Sequence, residues 1–191
     1  GPNSTFRFPE SGGTGAIWDG VAKDLGPQYF RFNEPAIKLD LKLKQVQTTK
    51  KTYQFKHLLS TIPLDSLEKL AHRPGPAQDL LHSSTHIVGV GIKGRPKKEL
   101  ESKCWMYFPE ENCPFYRVTL FSKYGLDHVP DPDQYFSLMT ETSSSAKKPV
   151  DLKTLVDETI EGLKATELMS GSDQVVSVFC HNVDYGYPTP S

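Results

Sequence analysis

Lys103-Cys104-Trp105-Met106-Tyr107-Phe108-Pro109-Glu110-Glu111-Asn112-Cys113-Pro114-Phe115-Tyr116-Arg117 is the least ordinary stretch of the chain. Trp105, Tyr107 and Phe108 read as one strand, and Tyr116, Val118, Leu120 and Phe121 as the next. Pro109, Asn112 and Pro114 force a loop between them, because proline fixes φ and removes a backbone donor. The stretch therefore predicts a hairpin, and its side chains admit two readings. Tryptophan and tyrosine carry flat faces with a polar tip, which suits a site for a sugar or a base. Arg117 offers a planar fork of donors that matches phosphate or carboxylate oxygens. In the other reading the rings are half-buried strand core and Arg117 belongs to a surface ion pair. Composition alone favours this second reading, since aromatics in strands are usually core.

Upstream, Ser11-Gly12-Gly13-Thr14-Gly15 opens a short helix with apolar spacing through Ile17, Trp18, Val21 and Leu25, stopped by Gly26-Pro27. A tight turn explains those glycines at least as well as an anion site does. Tyr29 to Phe32 reads as a short strand. Ile37, Leu39, Leu41 and Leu43 alternate with charged residues, the pattern of a strand with one wet face. Thr48 to Lys51 makes a turn, and Tyr53 and Phe55 return. Leu58 to Pro63 reads as a buried strand, and Leu64, Leu67 and Leu70 as one face of a short helix. His86 to Ile92 is β-rich with glycine at alternate positions, so something approaches that face closely.

Downstream, Lys123 to Pro132 is irregular, Tyr135 to Thr140 is strand-like and Ser143 to Ser145 is a polar turn. Leu152, Leu155, Val156, Ile160 and Leu163 repeat at three and four, which marks the best helix of the chain. Val175 to Phe179 is a last strand. The mixture is α+β: a β-rich core with two to three helices, expected to be one piece of a two-domain architecture.

The 191 residues carry 22 basic and 23 acidic side chains, net charge −1. No basic stripe invites nucleic acid, and no apolar run is long enough to span a membrane. Cys104, Cys113 and Cys180 match no metal-ligand spacing and read as free thiols of a reducing compartment. No signal or transit peptide is legible. The chain starts at Gly1-Pro2-Asn3 and stops at Tyr187-Pro188-Thr189-Pro190-Ser191, which predicts an internal piece of a longer protein. No Gly-x-Ser-x-Gly, His-Glu-x-x-His or phosphate-binding Walker motif is present. His57, His72, His82, His86, His128 and His181 are scattered, and Glu110 and Glu111 read as solvated. No self-contained catalytic set is visible. The residues suit recognition of an anionic, ring-bearing ligand such as a nucleotide sugar.

The stretch from Trp105 to Arg117 resembles the signature of the eukaryotic-type UDP-galactopyranose mutases. Landmarks of the same family run on either side: Gly1-Pro2-Asn3-x-Thr5-Phe6-Arg7-Phe8-Pro9, Gly12-Gly13-Thr14-Gly15-x-Ile17-Trp18, Ser83-Ser84-Thr85-His86 and Asp184-x-Gly186-Tyr187-Pro188-Thr189-Pro190. The ordered set reverses the preference for the core reading. The resemblance implies an FAD-dependent isomerase with an amine-oxidase-like, Rossmann-like fold. It would interconvert UDP-galactopyranose and UDP-galactofuranose through an adduct at N5 of the reduced flavin, in the cytoplasm, for cell-wall biogenesis. It implies that residues 1–80 are part of the FAD-binding domain and 81–191 a substrate-binding sheet region with one long helix.

By motif position, Arg117, Tyr107 and Tyr187 would hold the diphosphate, and Trp105 and Asn3 would line the galactose side. Ile37 or Lys38 would meet the adenine end of FAD through the backbone. None of these is a catalytic group, since the cofactor carries the chemistry. No metal, nucleic acid or membrane partner is implied; UDP-galactose is the substrate, and a homo-oligomer is compatible. The family's dinucleotide turn lies upstream and nothing here replaces it, so the isolated chain is not expected to retain FAD. Ser11 stands where the family commonly has arginine, and His181-Asn182-Val183 lacks its usual basic pair. The other readings are a non-catalytic nucleotide-sugar-binding fragment and another amine-oxidase-like flavoprotein.

Overall fold

The computed structural model describes residues 7–73 and 75–189. Among these described residues, three helices and eight strands follow in the order α1 (Gly15–Leu25), β1 (Ala36–Asp40), β2 (Gln45–Thr48), β3 (Thr52–Gln54), α2 (Leu64–Leu70), β4 (Leu81–Lys93), β5 (Trp105–Tyr107), β6 (Arg117–Leu120), β7 (Tyr135–Ser144), α3 (Leu155–Ala165) and β8 (Gln174–Thr189). The class is α+β with antiparallel sheets, as the sequence predicts. The chain divides into two compact units. One holds the residues up to Gly20 with Ser83–Tyr187, the other Val21–His82 with the residues after Tyr187.

The smaller unit is the meander β1-β2-β3 with α2. The alternation from Ile37 to Leu43 predicts one strand, but β1 ends at Asp40. Asp40 Oδ1 accepts the backbone N–H groups of Lys42 (3.0 Å) and Leu43 (2.8 Å), and Lys44 takes a positive φ of 53°. An aspartate that caps its own turn ends the strand while the apolar period runs on. The turn expected at Thr48 is present: its hydroxyl accepts from the N–H groups of Lys50 and Lys51 and donates to Glu34 at 2.7 Å. Hydrogen bonds from Thr48 and Tyr53 hold the Glu34 carboxyl below its ordinary pKa. Ile37 falls in a bulge, because Ala36 opposes Thr48 and Lys38 opposes Gln47.

Two predicted strands of this unit are not strands. Tyr29 to Phe32 follows a 3-10 turn at Pro27–Tyr29, set off by Gly26 at φ 93°. Phe30 and Phe32 stack on each other at 5.5 Å instead of pairing with a neighbour. Leu58 to Pro63 is irregular, with Leu59 93% exposed. A short apolar run has no strand to pair with here, and periodicity alone does not reveal that.

The larger unit is a five-stranded sheet in the order β5-β6-β7-β4-β8. Strict alternation sorts its residues. Val88, Val90 and Ile92 of β4, Val118 and Leu120 of β6, and Phe136 and Leu138 of β7 form one core with Leu155 and Leu163 of α3. Their neighbours in sequence, Gly89, Gly91, Arg117, Thr119, Met139 and Glu141, take the opposite face. β7 runs on through Ser143 and Ser144, so the polar turn shifts to Ser145–Lys148. β8 runs well past Phe179 to Thr189.

Gly89-Val90-Gly91-Ile92-Lys93-Gly94 has the Gly-x-Gly-x-x-Gly spacing of a dinucleotide turn, yet Gly89 and Gly91 lie inside β4 and no helix follows. Their role is packing: a Cβ on Gly91 would lie 2.3 Å from Ser177 Oγ, and one on Gly89 3.5 Å from Phe179 Cβ. What comes close to these glycines is the neighbouring strand β8, beside β4 in the same sheet.

Gly162 brings α3 onto the hairpin loop. A Cβ there would stand 2.9 Å from Pro114 Cδ, 3.0 Å from Cys113 Cβ and 3.1 Å from Phe115 Cε1. Alanine favours a helix over glycine by about 1 kcal/mol, while overpacking costs about 1–3 kcal/mol. Phe115, 2% exposed, leaves no room to relax, so the clash wins. Gly162→Ala is expected to lower the urea midpoint without changing the slope; an unchanged or higher midpoint would show that the loop yields.

Candidate functional site

Tyr107, Arg117 and Glu141 stand directly opposite one another on β5, β6 and β7. They share the sheet face turned away from the core. Arg117 donates from Nε to Glu141 Oε1 at 2.9 Å, and from Nη2 to the same oxygen. The Tyr116 hydroxyl donates to Glu141 Oε2 at 2.7 Å. Glu141 is 5% exposed, and these bonds compensate its removal from water. Burial pushes the Tyr116 phenol up, and the hydrogen bond to Glu141 adds to the rise. Burial disfavours the Arg117 cation, but hydrogen bonds to Glu141 and Tyr107 outweigh it and raise its pKa.

The structure brings three of the predicted site residues into one electrostatic neighbourhood. Tyr107 lies directly opposite Arg117 and contributes to raising its pKa, and Tyr187, from the far end of β8, acts on both Arg117 and Tyr116. Tyr107 and Tyr187 are 64% and 51% exposed. Trp105, 43% exposed, lies two residues from Tyr107 on the same face. Its indole Nε1–H donates to the Tyr124 hydroxyl. Phe8 and Phe121 pack on Tyr124 with centroids at 4.5 Å and 5.3 Å. Ile37 and Lys38 lie on β1 of the other unit, and Asn3 lies outside the described residues. No cluster of metal-ligating side chains occurs among the described residues.

Among the described residues, Trp105, Tyr107 and Arg117 share one sheet face, on which Trp105 and Tyr107 stand exposed. The hairpin loop and α3 line a separate groove of about 1040 Å³ on the core side, bordered by Glu110, Lys148 and Glu158. A second groove, about 810 Å³, lies over Gly89 and Gly91 and is walled by Phe121, Val129 and Phe179. Glu110 and Glu111 are exposed, as expected. His86 is buried between Asn182 Oδ1 (2.9 Å) and Ser144 Oγ (2.7 Å), so it ties β8 and β7 to β4. The three cysteines are free; burial raises the thiols of Cys104 and Cys113.

Sequence reasoning missed Glu141, Tyr116 as its partner, and Tyr124. A signal for the first exists: Glu141 is a lone carboxylate inside the strand run Tyr135 to Thr142. Its pairing with Arg117 follows from register, which one sequence does not display.

Tyr187 is placed through Gly186. A Cβ there would fall 2.2 Å from Thr85 Oγ1, 2.9 Å from Thr85 N and 3.0 Å from Ser83 O. Backbone atoms of β4 cannot move aside cheaply. Gly186→Ala is expected to destabilise the protein by about 1–3 kcal/mol. Amide exchange should show lost protection from Asp184 onward, and full protection there would refute this account.

No family model matches the chain. Two solved structures share the fold at low identity. A protein from Exiguobacterium sp. 255-15, provisionally named a protoporphyrinogen oxidase, matches with TM-score 0.65 and 13% identity over 84% of this chain and 36% of its own. The PF1083 protein from Pyrococcus furiosus matches with TM-score 0.56 and 14% identity over 78% and 36%. With TM-score 0.90 and 37% identity, the whole of this chain is similar to 42% of the length, less than half, of a reduced UDP-galactopyranose mutase of known structure.

Proposed function

We propose that the chain is part of a UDP-galactopyranose mutase of the eukaryotic type, an isomerase, and that the face around Arg117 receives the diphosphate of UDP-galactose. The observation that carries this reading is the 37% identity to a solved mutase over every residue of the chain. Glu141 takes the Nε–Nη2 edge of the guanidinium, so the donors beyond that edge are available to phosphate oxygens. Tyr107 and Tyr187 carry exposed hydroxyls that donate to the same anion. Trp105, hydrogen-bonded to Tyr124, offers a flat face to the sugar. The positive charge of Arg117 is worth most when UDP departs and its diphosphate gains charge.

Reduced FAD, when bound, supplies the nucleophilic electron density at the anomeric carbon. The bulge at Ile37 lies on β1, the edge strand of its sheet, so backbone groups there are left to meet the adenine end of the cofactor. No dinucleotide turn occurs among the described residues, so the fit covers that end alone. The reading entails a cytoplasmic enzyme acting on UDP-galactose without nucleic acid or membrane. No helix among the described residues is long and apolar enough to cross a membrane.

In the full-length protein, Arg117→Ala is expected to lower kcat by about 10²–10³, the usual effect of removing one charge-stabilising donor. Chromatographic conversion of UDP-galactofuranose measures it, and an unchanged kcat removes Arg117 from the reaction. The chain alone is expected to purify without stoichiometric flavin, since no dinucleotide turn opening onto a helix N-terminus occurs among the described residues. A yellow one-to-one complex would contradict that. Turnover by the full-length protein distinguishes a mutase from a non-catalytic nucleotide-sugar binder.

A further inference from the structure

We propose that Glu141 is a positioning residue that fixes which edge of the Arg117 guanidinium meets the diphosphate, an inference that rests on the reading of Arg117 given above. The guanidinium is planar, so holding Nε and Nη2 on one oxygen fixes the orientation of the whole group. The carboxylate is itself held: Oε2 accepts from the Tyr116 hydroxyl at 2.7 Å, and the Glu141 side chain is 7% exposed. Its backbone is tied to the same partner segment, because Tyr116 N–H donates to the Glu141 carbonyl at 2.9 Å. Thr140 and Thr142 on either side are buried on the core face, so the pleat gives Glu141 only the site face. Arg117, by contrast, keeps a 24% exposed side chain, whose long stem could swing away without this contact.

Reach, and not charge alone, is what this geometry requires. Glutamine at 141 keeps the reach and an acceptor for Arg117, and its amide can bond the Tyr116 oxygen. Aspartate keeps the charge but is one methylene short of both partners. The test is UDP binding to the full-length protein by calorimetry, with far-UV circular dichroism as the check of folding. Glu141→Gln is expected to bind UDP within about threefold of wild type, and Glu141→Asp about tenfold more weakly, the scale of a misplaced binding group.

Wild-type affinity for Glu141→Asp, or a loss in Glu141→Gln as large as in Glu141→Asp, would overturn the proposal; the second result would assign the role to charge. If Glu141→Asp does not fold, Tyr116→Phe takes its place. It releases Oε2 with the charge intact, and about a threefold loss is expected for this partial loosening; unchanged affinity overturns the proposal. Arg117→Ala is the control. If it binds UDP as wild type does, the reading of Arg117 fails. If it loses UDP while Glu141→Asp does not, only the positioning role fails.

Discussion

The ion pair between Arg117 and Glu141 depends on strand register, and the register depends on the opposite face of the sheet. Arg117 opposes Glu141 while Val118 opposes Thr140, and Val118 is fully buried against α3 and the rest of the core. A slip of one residue between β6 and β7 would turn Val118 to solvent and Arg117 into the core. Removing a buried charge from its partner costs about 3–5 kcal/mol, and exposing the valine adds to that. Packing of apolar side chains on one face thus dictates which polar groups meet on the other. The polar row needs no loop to hold it.

The hairpin shows why two readings of one stretch were both open. Phe115 is core, Phe108 packs partly against it with rings at 5.4 Å, while Trp105 and Tyr107 stand exposed on the other face. The pleat assigns neighbouring aromatics to opposite tasks, so the question is which residue faces which way. Arg117 does form an ion pair, but a largely buried one, with a carboxylate that the Tyr116 hydroxyl also bonds.

What was legible in the sequence was local. The glycine turn before α1, the three-and-four spacing of α3, the short helix after Pro63 and the strands flanking the proline loop follow from neighbours a few residues apart. What was not legible depends on partners far along the chain. Leu58 to Pro63 has the composition of a strand and lacks a strand to pair with. The strand expected at Val175 to Phe179 is only the first part of β8, which runs on through the polar Cys180-His181-Asn182 and is tied to β4 through Ser84 to the Asp184 carbonyl and His86 to Asn182. Glu141 is separated from Arg117 by 24 positions, so only the assembled sheet could reveal their meeting.

The same dependence bears on the exposure of the polar row: among the described residues Tyr107, Trp105 and Tyr187 are 64%, 43% and 51% exposed. The described residues of α1 include none that is buried, and Val176, Val178 and Phe179 of β8 stand exposed. A diphosphate held on an open face would be solvated, and the arginine's attraction for it would be weakened by water. Arg117 is already withdrawn to about a quarter exposure by its neighbours, so covering the exposed Tyr107, Trp105 and Tyr187 would complete its desolvation without moving it. The strands set the orientation of the cation, and whatever covers the face sets how strongly that cation is felt.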